Sequence, residues 1–135
     1  MNTAKVFYYP LIIKEAHLDM LGHVNNATYL SLFEEARWEI ITENDYGIER
    51  MRATGLGPVI LEITIKYLKE LYLRDSIVIE TQFNSYEKKI GKIFQRMLRG
   101  DDVCCTAELT FGLLDLKQRK LIMPTQDWLK AIGAA

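Results

Sequence analysis

The chain has 135 residues, of which 49% are hydrophobic and 26% charged, and a formal net charge of −1 at pH 7. That length predicts one domain over residues 1–135 with a sizeable core, and it argues against a two-lobed cofactor enzyme. The near-zero charge gives no electrostatic case for nucleic acid or an anionic membrane surface, and no apolar run is long enough to span a bilayer.

Residues 5–14, rich in aromatic and β-branched types, predict a strand in which Pro10 demands an edge position or a bulge. A polar turn containing Gly22 then leads to a helix capped by Asn25 or Asn26 and running to about Tyr46. Tyr29, Phe33, Ala36 and Ile40, flanked by Leu30 and Leu32, mark its buried face, with Ser31, Glu35 and Trp38 on or near the other side. Arg37, at the edge of that stripe, is expected to pair with Glu34 or to reach water along its aliphatic stem. Gly47, Gly55, Gly57 and Pro58 punctuate the link out of the helix.

After them the hydrophobic period changes to two. Val59, Leu61, Ile63, Ile65 and Tyr67 alternate with Ile60, Glu62, Thr64, Lys66 and Leu68, as in a half-buried strand. Ile77, Ile79, Thr81 and Phe83 predict a second strand of this kind. A third covers residues 90–99 and ends at the Gly100-Asp101-Asp102 turn, and Val103, Cys105, Ala107, Leu109, Phe111 and Leu113 form a fourth. Lys117-Gln118-Arg119-Lys120 reads as a turn and residues 121–123 as a short strand. Pro124-Thr125 opens a terminal helix, with Asp127 in its first turn. The layout is α+β, an antiparallel sheet with helical material on one face. One long helix leaves sheet edges and apolar surface uncovered, which predicts association into dimers or larger.

Several chemistries lack their signatures. There is no G-x-S-x-G elbow, no G-x-x-x-x-G-K-[ST] and no G-x-G-x-x-G after a strand. Adjacent Cys104 and Cys105 form no disulfide framework, have no histidine near in sequence, and are expected to be one core residue and one exposed neighbour. Met1-Asn2-Thr3-Ala4-Lys5 lacks the pattern of a signal peptide, and with the two cysteines this predicts a reduced, cytoplasmic protein. His17, Asp19 and His23 have metal-ligand chemistry but no fourth ligand and no standard zinc spacing, so no metal is expected.

The most informative stretch runs from Asp19 to Tyr29. It sets a carboxylate on a turn a few residues before a helix start, where backbone N–H groups lack intrahelical acceptors and the dipole is positive. Those are the parts needed to attack a carbonyl and hold the oxyanion that results. Taken alone, Asp19 reads first as a loop aspartate capping its own turn.

The whole run His17-Leu18-Asp19 through Gly22-His23-Val24-Asn25-Asn26-Ala27-x-Tyr29-Leu30, followed by Phe33-Glu34-Glu35-Ala36-Arg37-Trp38, resembles the hotdog-fold acyl-CoA thioesterases. Within this 4-hydroxybenzoyl-CoA thioesterase-like family it is most similar to the bacterial long-chain, thioesterase III type. Phe111-x3-Asp115-Leu116-Lys117 resembles the end of the family's last long strand. The resemblance implies a curved antiparallel sheet wrapped around the long helix, pairing with a second subunit into one continuous sheet. Active sites then lie between subunits, in a homodimer or homotetramer.

By position, Asp19 matches the family's catalytic carboxylate, acting as nucleophile or general base, and the Asn26 N–H matches the donor that polarises the thioester carbonyl. Gly22 would let the backbone turn tightly toward substrate. His23 and Asn25 would orient the acid or a water, and Tyr29 would line the acyl channel or pack in the core. Lys88, Lys89, Lys92, Arg96 and Arg99 concentrate positive charge on the third of the later strands and the turn before it; this reads first as a solvated strand face, with Lys89 and Lys92 as candidates to meet the phosphates of coenzyme A. The local Lys88-Lys89-Ile90-Gly91-Lys92 departs from the Lys-Ser found in many relatives. The implied reaction is hydrolysis of a fatty acyl-CoA of medium or long chain, with no cofactor, and acyl carrier protein is an alternative thiol carrier. The other readings are a non-catalytic acyl-thioester binding protein and a hotdog dehydratase or hydratase using His23 with Asp19.

Overall fold

A computed structural model describes residues 4–134. Six strands and three helices follow in chain order: β1 (Val6–Ile12), α1 (Asn26–Glu43), α2 (Ile48–Thr54), β2 (Leu56–Tyr67), β3 (Ser76–Glu87), β4 (Ile90–Arg99), β5 (Asp102–Asp115), β6 (Lys120–Ile122) and α3 (Gln126–Ala131). A 3-10 turn, Glu15–His17, lies between β1 and α1. The sheet has the order β1-β3-β4-β5-β2, with β6 paired to the end of β5, and every pairing is antiparallel. Its curved face wraps α1, the hotdog arrangement that the resemblance implies.

The pattern of two is realised in the inner strands. Ile77, Ile79, Thr81 and Phe83 of β3 are buried, as are Ile93, Gln95 and Met97 of β4 and Cys105, Ala107, Leu109, Phe111 and Leu113 of β5. Against them α1 lays Tyr29, Leu32, Phe33, Ala36, Ile40 and Ile41. Each large side chain so buried contributes on the order of 1.5–3 kcal/mol. Gly91 is required by close approach, since a Cβ there would lie within 2.4 Å of the Phe111 ring. Both strand prolines fall on edge strands, Pro10 in β1 and Pro58 in β2, the positions at which a strand tolerates proline.

Four details differ from the sequence expectation. The long helix stops at Glu43, short of Tyr46, and the segment between Gly47 and Gly55 forms a helix of its own, α2. Strand β2 begins at Leu56 and includes Gly57 and Pro58, which the sequence assigned to the link. Cys104 and Cys105 are both fully buried, where one was expected to be exposed. The cause is a register shift: Met97 pairs with Cys105 but Leu98 pairs with Val103, so Cys104 is the extra residue of a bulge and does not follow the alternation. Arg37 donates from Nη1 to Gln95 Oε1 at 2.8 Å instead of pairing with Glu34.

The expectation for β2 as half-buried holds only at its start. Beyond a bulge at Leu61, the strand exposes Leu61, Ile63 and Tyr67, with Leu68 following. Among the described residues no other strand covers that edge.

Candidate active site

The turn before α1 is fixed by its own backbone. Leu18 and Val24 form an isolated antiparallel bridge, which closes residues 19–23 into a small loop. Inside it the Asp19 N–H donates to the His23 carbonyl at 3.0 Å and the Gly22 N–H to the Asp19 carbonyl at 3.2 Å. Gly22 adopts φ +85°, the left-handed conformation that the turn needs and that favours glycine. The Leu21 N–H donates to Asp19 Oδ1 at 2.8 Å, so the aspartate does cap its turn. His23 Nε2 lies 4.0 Å from the same oxygen, and the two side chains are about a quarter exposed, 24% for His23 and 28% for Asp19. Asp19 is anchored by the Leu21 N–H, and both side chains reach water.

Asn25 is the N-cap residue of α1, and its side chain makes no capping hydrogen bond. Its own N–H is spent on the His17 carbonyl at 3.0 Å. The Asn26 N–H therefore differs from its neighbour: among the described residues it has no acceptor, and it stands at the positive end of an 18-residue helix. An Asn side chain in the usual cap geometry would have occupied nearby donors. Here the helix start stays open.

A cavity of about 270 Å³ adjoins it, lined by His23, Val24, Asn26, Tyr29, Tyr67 and the segment 68–70. Tyr29 is both a core and a lining residue, 3% exposed, and burial pushes its phenol up to about 12. Tyr67 comes from the far end of β2; its hydroxyl donates to the Asn26 carbonyl at 2.8 Å, and its ring meets that of Tyr29 edge-on at 5.1 Å. Burial raises its pKa as well. Asp19, Gly22 and Asn25 flank this cavity through the turn and do not line it.

Tyr67 and the 68–70 segment are absent from the sequence-derived site. They reach it across 41 residues of chain, and the only sign in the sequence was an aromatic at the end of an alternating strand. His17 turns elsewhere, with Nδ1 accepting the Lys14 N–H at 2.9 Å. Among the described residues no three His, Cys, Asp or Glu side chains gather around a metal position.

The basic residues do not form one cluster. Arg96 is paired with Glu80, Arg99 with Asp75 at 2.8 Å, and Lys92 donates to Thr110 Oγ1 at 2.8 Å. Lys88 and Lys89 form the exposed turn between β3 and β4. Tyr67 pairs with Cys105, which pairs with Met97, so Lys92 lies five residues along β4 from the row that ends at the cavity. At strand rise that is about 16 Å, and Lys89 is farther still. Within one chain, Lys89 and Lys92 are not brought to Asp19 and Asn26.

The model of the thioesterase-like superfamily matches residues 14–132. The chain is similar to the long-chain acyl-CoA thioesterase FadM of Escherichia coli K12, 34% identical over 112 residues, covering 82% of this chain and 84% of that protein. It is also similar to the acyl-CoA thioester hydrolase YbgC of Escherichia coli O6:H1, at 25% identity over 92% of this chain and 93% of its relative. Among solved structures, the probable thioesterase YbaW of Escherichia coli superposes with a TM-score of 0.82 at 29% identity, covering 94% of this chain and 96% of the other.

Proposed function

Since the chain belongs to the thioesterase-like superfamily, we propose that it hydrolyses acyl-CoA thioesters, with Asp19 and the Asn26 N–H as the catalytic pair. The named activities of FadM and YbgC support the reaction class. The observation that carries the residue assignment is the unpaired Asn26 N–H at the helix start, seven residues after a carboxylate locked on a rigid turn. A thioester carbonyl seated there gains a hydrogen bond that strengthens as its oxygen becomes an oxyanion, worth on the order of 3 kcal/mol in rate.

Two routes use these atoms. In one, Asp19 takes a proton from water, the hydroxide adds to the carbonyl carbon, and collapse of the tetrahedral intermediate breaks the C–S bond. In the other, an Asp19 oxygen adds first, thiolate leaves, and water hydrolyses the mixed anhydride. Both give a free carboxylic acid and coenzyme A. His23 beside Asp19 orients the carboxylate, and Tyr67 holds the helix start in place through the Asn26 carbonyl. The acyl group is fatty, of medium or long chain, a reading that FadM's named specificity supports.

The site reads as complete only with a second copy. Two β2 edges paired about a two-fold axis must run antiparallel. The Tyr67 end of one strand then meets the Leu56 end of the other. Lys88 and Lys89 lie toward that second end, since Ile60, Phe111 and Gly91 form one row across the sheet. Lys89 of the partner subunit, remote within one chain, thereby approaches the Asn26 cavity as a candidate phosphate ligand.

Thiol release from palmitoyl-CoA tests the pair. Asp19→Asn is expected to lower kcat by on the order of 10²–10⁴ with circular dichroism unchanged. Parental turnover by this variant would remove Asp19 from the chemistry.

A further inference from the structure

Residues 68–75 carry the chain from β2 to β3, which are not neighbours in the sheet, and so pass the end of the β4–β5 hairpin on the way. The first three of them, 68–70, form a wall of the Asn26 cavity. Leu71 is the only buried residue of the crossing. A segment with so little apolar burial is held in place by its polar contacts or not at all.

The hairpin end supplies those contacts. The Leu68 and Lys69 N–H groups both donate to the Cys104 carbonyl, at 2.9 and 3.0 Å, beside the bulge in β5. Lys69 Nζ donates to Asp102 Oδ1 at 2.8 Å. Arg99 Nη1 donates to the Glu70 carbonyl at 2.9 Å and to Asp75 Oδ2 at 2.8 Å, and that same carboxylate oxygen accepts the Tyr72 N–H at 2.8 Å. One half-buried guanidinium therefore ties together both ends of the 70–75 bend.

The bend reaches the turn before α1. With the Glu70 carbonyl turned to Arg99, the next carbonyl, that of Leu71, accepts the Val24 N–H at 2.9 Å. Val24, 1% exposed, is the residue whose bridge to Leu18 closes the loop carrying Asp19. The path from Arg99 to the Asp19 loop thus runs through hydrogen bonds to backbone at every step. Arg74, on the same crossing, differs: its pair with Glu15 at 2.9 Å joins two side chains that are 60% and 68% exposed, and such pairs fix little.

We infer that Arg99 is a positioning residue, which holds the 68–70 wall and, through Leu71 and Val24, keeps the Asp19 loop in register with the Asn26 N–H. Its bearing on turnover rests on Asp19 and Asn26 being the catalytic pair. Arg99 touches no substrate in this role; its donors are spent inside the chain.

Native-state hydrogen exchange on the full chain reads the linkage without any substrate. The Val24 N–H is expected to exchange about tenfold faster in Arg99→Met than in the parent, and at the parental rate in Arg74→Met. With palmitoyl-CoA, Arg99→Met is expected to lose about 10- to 100-fold in kcat with KM within about twofold, since the reacting groups lose alignment while binding surface remains. Arg99→Lys, which keeps the cation, is expected to recover part of that loss, and it carries both readouts if Arg99→Met does not fold. Parental Val24 exchange in the Arg99 variant would overturn the inference. So would a fall in activity that only tracks the unfolded fraction, with kcat per folded chain unchanged. A parent chain that released no thiol would instead remove the proposed reaction, and Val24 exchange would still decide the linkage.

Discussion

Cys105 lies in the core, fully buried, and burial pushes its thiol up to about 12, with adjacent Cys104 adding to the shift. Since the thiolate is the reactive form, iodoacetamide at neutral pH is expected to leave both cysteines of the folded chain unmodified and to alkylate both in denaturant. Mass spectrometry counts the adducts, and a rapid adduct on the folded chain would place a thiol at the surface. Tyr29 gives a prediction at the alkaline end. Its phenol titrates near 12 in the folded chain against an ordinary 10.0. Above pH 10 the unfolded chain loses this proton first, so the folded state holds more protons. Stability contributed by keeping Tyr29 neutral is therefore complete below pH 10 and declines between 10 and 12. Urea midpoints across that window, compared with Tyr29→Phe, measure it: the slope should be shallower in the variant. At this scale the sequence was readable where neighbours in the chain are neighbours in space. The turn at Gly22 and the helix start at Asn26 are local. The Tyr67 hydroxyl and the Gln95 amide reach their partners across 41 and 58 residues, and no local pattern encodes such contacts.

Helix α3 is short, and its start depends on Thr125, whose side-chain oxygen accepts the Trp128 N–H. The Pro124-Thr125 signal and Asp127 in the first turn were legible because capping is a matter of a few adjacent residues. Asp127 additionally meets Arg50 of α2 at 3.0 Å. Thr125→Ala is expected to cost about 1 kcal/mol, read as a lower urea midpoint with an unchanged slope. The element carries Trp128 into the core against Phe111 and Tyr46, so a larger loss would mean that the cap also positions that ring. Helix α2 escaped the reading because its seven residues lie between Gly47 and Gly55, and glycines read as loop. Its boundaries follow from tertiary structure: Gly55 closes it in the left-handed conformation, and Met51 packs inward. The bulges at Leu61 and Cys104 escaped for a related reason. A period of two describes a strand only until one residue is inserted, and the insertion is set by the strand alongside.

At the scale of the molecule, the sheet has two edges of different character. The β2 edge is long, uncovered and carries Leu61 and Ile63, 47% and 39% exposed. If subunits join there, Ile63→Lys is expected to shift the species seen by light scattering from a multiple of 15.7 kDa to a single chain, with acyl-CoA hydrolysis lost alongside. A parent protein that ran as a single chain with full activity would exclude that edge as the junction. The β1 edge is different. Pro10 is the fifth of its seven residues and has no N–H to offer an incoming strand. Growth by strand addition is therefore open on one side and obstructed on the other. A sheet that recruits a second copy through β2 presents β1 at both of its ends. Assembly by edge pairing then stops at two chains instead of propagating into a fibre, and one proline in a strand remote from the chemistry bears on the solubility of the whole.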